Sequence, residues 1–292
     1  MIKNILITGV KGQLGSELSN LFGNYPEFRF FPTDVDTLDL TDKQAVSDFV
    51  HQNQIDYIVN CAAYTAVDKA EDDADLCYKI NRDAVQNLAE AARGKAKILH
   101  ISTDYVFDGG GNRPYLESDP TNPQSVYGKS KREGEELLLQ ICPESIVVRT
   151  AWLYSIYGNN FVKTMIRLGN ERPELNVVSD QTGTPTYAAD LAQALLSILV
   201  FSEKNQTFPA GIYHYSNEGI TSWFEFTQKI HQLAGITTCM VHPIPTSQYP
   251  TRAKRPMYSV LDKTKIKRTF GLSVPAWEDS LAKCVALPAP TA

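Results

Sequence analysis

A chain of 292 residues with 43% hydrophobic and 21% charged residues has ordinary globular composition, and it is long enough for a sizeable core in one or two domains. Its net charge of −5 offers no basic face for nucleic-acid phosphates, although a few placed cations would still hold a small anionic ligand. Five cysteines, an odd number with no CxxC pair, exclude a complete disulfide framework and fit a reducing, cytoplasmic setting.

From the start, MIKNILITG has a short apolar run with no small-residue cleavage site after it, so it reads as a strand and not as a signal peptide. Gly9, Gly12 and Gly15 follow at once, and a helix is expected from about Gln13. Next come the strand RFFPTD, a helix from about Asp42, the strand YIVNCAA, a helix across 80–93 and the strand KILHIS. A glycine- and proline-rich loop spans 107–124, where neither helix nor interior strand can persist. The helix opened by SVYGKSKREGEE and the strand SIVVRT close this half. Strands without polar alternation, separated by helices, predict an α/β fold: a Rossmann-like, doubly wound parallel sheet covered on both faces.

After Trp152 the alternation weakens. Residues 1–152 are expected to form the dinucleotide-binding domain, joined by 187–215, whose helix 187–201 and strand GIYHYS return to the sheet. Residues 153–186 and 216–292 are expected to form a smaller C-terminal substrate-binding lobe. The most apolar later run, LLSILVF at 195–201, is too short to span a bilayer, so no membrane partner is expected. The Pro/Ala tail LPAPTA is read as loose.

The glycines carry the first chemical signal. At a strand-to-helix turn they allow a sharp bend, let N–H groups approach a pyrophosphate and let helix and strand pack closely. The spacing is GxxGxxG, and a bare glycine triplet is equally compatible with a tight turn that binds nothing. Position strengthens the case, because this is the first strand and the first helix. Asp34 closes the second strand, where an acid would hydrogen-bond an adenosine ribose and disfavour a 2′-phosphate, a lean toward NADH. Asp36 and Asp39 crowd it, so a solvated turn acid is the plainer alternative. Ala62 and Ala63 at a strand's carboxyl end leave room for a flat ligand, although packing alone would also account for them.

Ser102, Thr103 and Asp104 end a buried strand on the side of the glycine turn. Tyr127 and Lys131 stand four residues apart and share a helix face. A tyrosine alone is a poor acid or base; a nearby ammonium and an oxidised nicotinamide would pull its pKa toward neutrality. Thr103 would complete the polarisation of a substrate carbonyl. Lys129, Arg132, Glu133 and Glu136 need no role beyond a solvated helix face. His100, within an apolar run, reads as a satisfied core histidine.

Taken together, TGxxGxxG, the strand-end Ser/Thr and YxxxK resemble the extended short-chain dehydrogenase/reductase superfamily. The segments AAYTAVDKAE, STDYVFDG, RTAWLYSIYGNNFVKTMIRL, DQTGTPTYAADLA and RAKRPMYSVLD are similar to the dTDP-4-dehydrorhamnose reductase family, over residues 2 to about 285. That resemblance implies reduction of the 4-keto group of dTDP-4-dehydro-6-deoxy-L-mannose to dTDP-L-rhamnose, the last step of dTDP-rhamnose biosynthesis, with NADPH or NADH. It implies Tyr127 as proton donor, Lys131 on the nicotinamide ribose and Thr103 as the Ser/Thr of the triad. Cofactor contacts carried over fall on Gly12, Gln13, Leu14, Asp34, Asp39, Leu40, Ala62, Ala63, Tyr64 and Thr65. Sugar-nucleotide contacts fall on Thr103, Asp104 and Trp152, and by analogy Asn160 and Arg255 hold the diphosphate. Some members of the family dimerise through magnesium held by acids. Glu17 and Asp190 match two of these and the C-terminal third has no clear counterpart, so magnesium and that dimer are left open, no residue is assigned to a metal, and a monomer or homodimer is expected. A non-catalytic NAD(P)-binding regulator resembling that of methionine adenosyltransferase is the alternative, as is a reductase or epimerase of another sugar nucleotide.

Overall fold

The computed structural model describes residues 2–288; Met1 and the last four residues of the LPAPTA tail lie outside them. Five apolar runs become β1 (Lys3–Thr8), β2 (Phe28–Thr33), β3 (Tyr57–Asn60), β4 (Lys97–Thr103) and β5 (Ile146–Thr150). With Gly211–His214 they make a six-stranded sheet in the order Gly211–His214, β5, β4, β3, β1, β2, every neighbouring pair parallel. Parallel strands need helical crossovers, which cover both faces, and β3 and β5 are accordingly buried at every residue. β2 takes the edge, where Pro32 and its missing N–H are tolerated.

Local chemistry sets the helix starts. The Asp42 carboxylate accepts from the Gln44 and Ala45 N–H groups and opens Lys43–Gln52, and the Ser125 hydroxyl accepts from the Gly128 N–H and opens Val126–Ile141. The chain passes from β1 to β2 on one side and resumes at β3 on the other, so the strand order reverses between β1 and β3. Loops after those two strands diverge, and the crevice they leave at the carboxyl ends is where open parallel sheets take ligands.

One face of the sheet is covered by a core that includes Val46, Val50, Leu88 and Ile98, and two other large cores stand apart from it. One lies on the sheet, where Leu191, Leu195, Ile198 and Leu199 of Ala188–Asn205 pack against Ile5, Ile7 and Val148. Each fully buried leucine or isoleucine contributes roughly 1.5–3 kcal/mol. Residues Thr264–Phe270, assigned to the smaller lobe by sequence, also belong here: Ile266 is buried in this core and Phe270 packs against Phe201 and Tyr213. The other core joins Tyr154, Val162, Met165, Phe226, Ile230 and Leu281 from the helices Phe161–Glu171, Trp223–Leu233 and Trp277–Ala286 and the strand Leu153–Tyr154. A parallel pair, Glu174–Val178 with Met240–Ile244, flanks it. All five cysteines are free, and among the described residues no helix is long and apolar enough to cross a membrane.

Candidate active site

The glycine turn after β1 is built by close approach. Gly9 has φ +67°, and a Cβ there would sit 2.8 Å from backbone atoms of Ala62; a Cβ on Gly15 would lie 2.2 Å from the Gly9 carbonyl oxygen. The helix Gln13–Leu21 can therefore begin directly against the turn. Its N-cap, Gly12, has no side chain, so the first-turn N–H groups keep their capacity to bind an anion. Beside it opens a cleft of about 390 Å³ whose lining includes Gly9, Gly12, Asp34, Asp39, Leu40, Ala62 and Ala63.

Within that cleft Asp34 accepts from the N–H groups of Lys11 and Val35, both at 2.9 Å, which fixes the carboxylate at the rim. Asp39 accepts from the Thr41 N–H at 2.8 Å, and that bond lowers its pKa. Leu14 is buried in the sheet core and offers a ligand only its backbone. Tyr64 is pinned through its backbone by Asn81, while Thr65 is exposed.

Along the same carboxyl edge of the sheet, β4 delivers Thr103 and Asp104 and the helix Val126–Ile141 delivers Tyr127 and Lys131. Lys131 is 2% exposed; its Nζ donates to the Ile101 carbonyl at 2.7 Å and lies 3.4 Å from His100 Nε2. Thr103 donates to Asp104 Oδ1 at 3.0 Å. The sequence expects Lys131, together with an oxidised nicotinamide, to pull the Tyr127 phenol down. Among the protein's own groups burial prevails: it pushes Tyr127 well above an ordinary tyrosine, with the Thr103 hydroxyl acting against it. Burial also draws Lys131 down to about 8 and raises Asp104 to about 7. A phenol held in its protonated form suits a proton donor.

A family profile described as RmlD substrate binding domain matches residues 3–288. A dTDP-4-dehydrorhamnose reductase of Aggregatibacter actinomycetemcomitans is 44% identical over 95% of this chain and 96% of its own length. The chain belongs to the dTDP-4-dehydrorhamnose reductase family. A solved structure of a dTDP-4-dehydrorhamnose reductase from Clostridium acetobutylicum is 46% identical with a TM-score of 0.90, covering 97% of this chain and 98% of that one. Another, from Bacillus anthracis and in complex with NADP, is 41% identical with a TM-score of 0.90 over 97% of this chain and 99% of its own.

Three residues of this reductase-family chain escape motif reading. Asn81, fully buried in a π-turn at Lys79–Asp83, bonds both backbone polar groups of Tyr64 and donates to the Ser130 hydroxyl at 3.1 Å, tying the loop after β3 to the Tyr127–Lys131 helix. Trp223 stacks face to face on Trp152, centroids 3.5 Å apart and planes 10° apart. Trp152 itself has φ +48°, a strained value for a bulky residue, and a Cβ on Gly183 would meet its ring at 2.6 Å. Tyr105 sets its ring edge-on to Tyr127, centroids 5.5 Å apart. Only the π-turn asparagine had any sequence signal, a polar residue within an otherwise amphipathic helix.

Other expected residues have their polar groups occupied by protein partners. Asn160 caps the helix Phe161–Glu171, accepting from the Lys163 N–H, and its amide donates to Gln13 Oε1 at 3.0 Å. Arg255 donates to the Tyr105 hydroxyl at 2.9 Å and forms an ion pair with Asp68. Glu17 accepts from Ser155 at 2.5 Å, and Asp190 accepts from Asn217 at 2.7 Å and from Ser280. Each acid is already matched by protein donors, and among the described residues no three acidic, histidine or cysteine side chains converge as ligands. These residues do not fit a magnesium site within the chain, and no step below runs through one.

Proposed function

We propose that this chain reduces the 4-keto group of dTDP-4-dehydro-6-deoxy-L-mannose to dTDP-L-rhamnose, using NADPH or NADH. The carrying observation is that the β4 end, the Tyr127–Lys131 helix and the glycine turn meet at the same carboxyl edge of one parallel sheet, in a chain 44% identical to a named reductase. On this reading residues 1–152 and 187–215 hold the dinucleotide, with Gly12, Gln13, Leu14, Asp34, Asp39, Leu40 and the Ala62–Thr65 loop as contacts. The remaining lobe closes on the sugar nucleotide. Five free cysteines suit a cytoplasmic reaction.

The reduced nicotinamide, when bound, supplies the hydride. Everything else falls to side chains. Thr103 turns its hydroxyl proton from Asp104 to the 4-keto oxygen and Tyr127 gives up its phenolic proton as the C–H bond forms, so the C=O π bond breaks without a free alkoxide. The tyrosinate left behind is stabilised by Lys131, which also holds the nicotinamide ribose. Asp104 and Trp152 orient the sugar, and Arg255 reaches a diphosphate by exchanging Asp68 for it.

The test is oxidation of NADPH and NADH followed by absorbance with the dehydro-sugar nucleotide, with the product identified. Tyr127→Phe should lower kcat by roughly 10²–10⁴-fold while cofactor Kd stays put. Near-normal turnover in that variant would sink the assignment. Absence of turnover by the native chain, with dinucleotide still bound, would favour a regulatory module.

A further inference from the structure

A buried polar chain runs across the strand ends and is not used above. Thr8 Oγ1 donates to Asn60 Oδ1 at 2.7 Å, and the Ala62 N–H reaches the same oxygen at 3.2 Å. A backbone N–H can only donate, so it fixes which end of the Asn60 amide is oxygen. The other end, Nδ2, faces His100 Nδ1 at 3.0 Å as a donor. Nδ1 must then accept. The proton of the neutral imidazole therefore sits on Nε2, and that N–H faces Lys131 Nζ at 3.4 Å. Burial keeps His100 neutral, with its pKa well below the ordinary histidine value. Flipping the ring would set carbon against both Asn60 and Lys131 and leave buried donors unpaired.

We infer that His100 is a positioning residue for Lys131: Asn60 locks the imidazole as its Nε2–H tautomer, and that N–H opposes the ammonium form of the lysine it faces. As a neutral amine Lys131 accepts this proton in a hydrogen bond; as an ammonium it meets another donor. The remaining titratable groups around it are Glu135 on its own helix, Cys77 on Ala74–Tyr78 and Cys61 after β3, and all three favour the ammonium. Their pull is weak. Glu135 is bound through both oxygens to Arg149, at 2.9 and 2.7 Å, and burial pushes the Cys61 thiol up to about 12. His100 adds to burial in the opposite direction, and Lys131 is drawn to about 8 by that burial. The consequence is that the charge available to stabilise the Tyr127 oxygen becomes sensitive to pH near neutrality. This rests on the role given to Lys131 above; the tautomer itself does not.

Two measurements separate those claims. Imidazole nitrogen NMR on isotope-labelled histidine reads tautomers without turnover, and His100→Gln identifies the signal among the five histidines. The Nε2–H form is expected in the native chain; an Nδ1–H form would overturn the inference. Asn60→Asp keeps the size and accepts from Thr8, Ala62 and a His100 Nδ1–H, which turns Nε2 into an acceptor for Lys131. The alkaline limb of the kcat/KM profile should then move up by about one pH unit or more. Adding His100→Leu to that variant should remove most of the displacement. If the displacement survives, the added carboxylate alone causes it and His100 has no such role.

Discussion

The cleft at the glycine turn and the cluster around Trp152 are built in opposite ways. The cleft, proposed above for the dinucleotide, centres on one local turn: Gly9, Gly12 and Gly15 lie within it, and Asp34 is held there by the Lys11 and Val35 N–H groups. Its surface is largely backbone and small side chains around an open cleft of about 390 Å³. The residues proposed for the sugar nucleotide are assembled from far apart: Trp152 on Trp223, Asn160 on Gln13, and Arg255 on Asp68 and Tyr105. Backbone-built sites fail when a Cβ is added, because nothing can move aside; sites built from side chains tolerate single losses, because each contact contributes only part of the geometry.

Gly15→Val should break the local end most completely. The new Cβ meets the Gly9 carbonyl at 2.2 Å, a backbone atom that cannot yield without moving the turn. Dinucleotide affinity, read by fluorescence titration, should fall by at least about tenfold and Tm by several degrees. Unchanged affinity would show that the glycine turn is only a turn.

Beside Thr103, Asp104 makes stability depend on pH. Burial raises it to about 7, so above the ordinary aspartate value the folded chain retains a proton that the unfolded chain has released. Its contribution to stability therefore falls as pH rises from about 4 to about 7, by roughly 1.4 kcal/mol per unit and a few kcal/mol in all. Asp104→Asn should flatten this slope in denaturant midpoints taken at about pH 5 and pH 8. An equal slope in both proteins would place the proton elsewhere.

Legibility followed the same division. The α/β alternation, the glycine turn and the Tyr127–Lys131 pair are local patterns, and a period or a spacing carries them. Trp223 could not be seen as a partner of Trp152, since a tryptophan opening an amphipathic helix reads as core and seventy residues of chain separate the two. Asn160 and Arg255 were read as free donors; their neighbours Gln13, Asp68 and Tyr105 become visible only once the lobe is folded back. Thr264–Phe270 likewise shows its place only through Phe201 and Tyr213. If the Trp pair orients the sugar, Trp223→Ala should raise KM for the sugar nucleotide about 2- to 10-fold, from the worth of one aromatic stack, without changing dinucleotide Kd. A loss confined to kcat would instead make the pair part of the reacting geometry.

The smallest effect belongs at the adenosine rim, where Lys11 and Asp34 pose a choice. On the proposed reading Asp34 accepts from a ribose hydroxyl and repels a 2′-phosphate, yet Lys11 on the same rim carries an exposed ammonium 2.7 Å from Asp36. Such an exposed pair contributes little to folding, so the lysine is free to swing toward a phosphate at small cost. The Asp36 hydrogen bond raises the Lys11 pKa, which keeps the ammonium charged across the working range. Lys11→Ala should therefore leave Tm and the KM for NADH unchanged and raise the KM for NADPH a few-fold. Equal changes with both cofactors would assign the Lys11 side chain to the shape of the rim, through its pair with Asp36, and leave the 2′ position read by Asp34 alone.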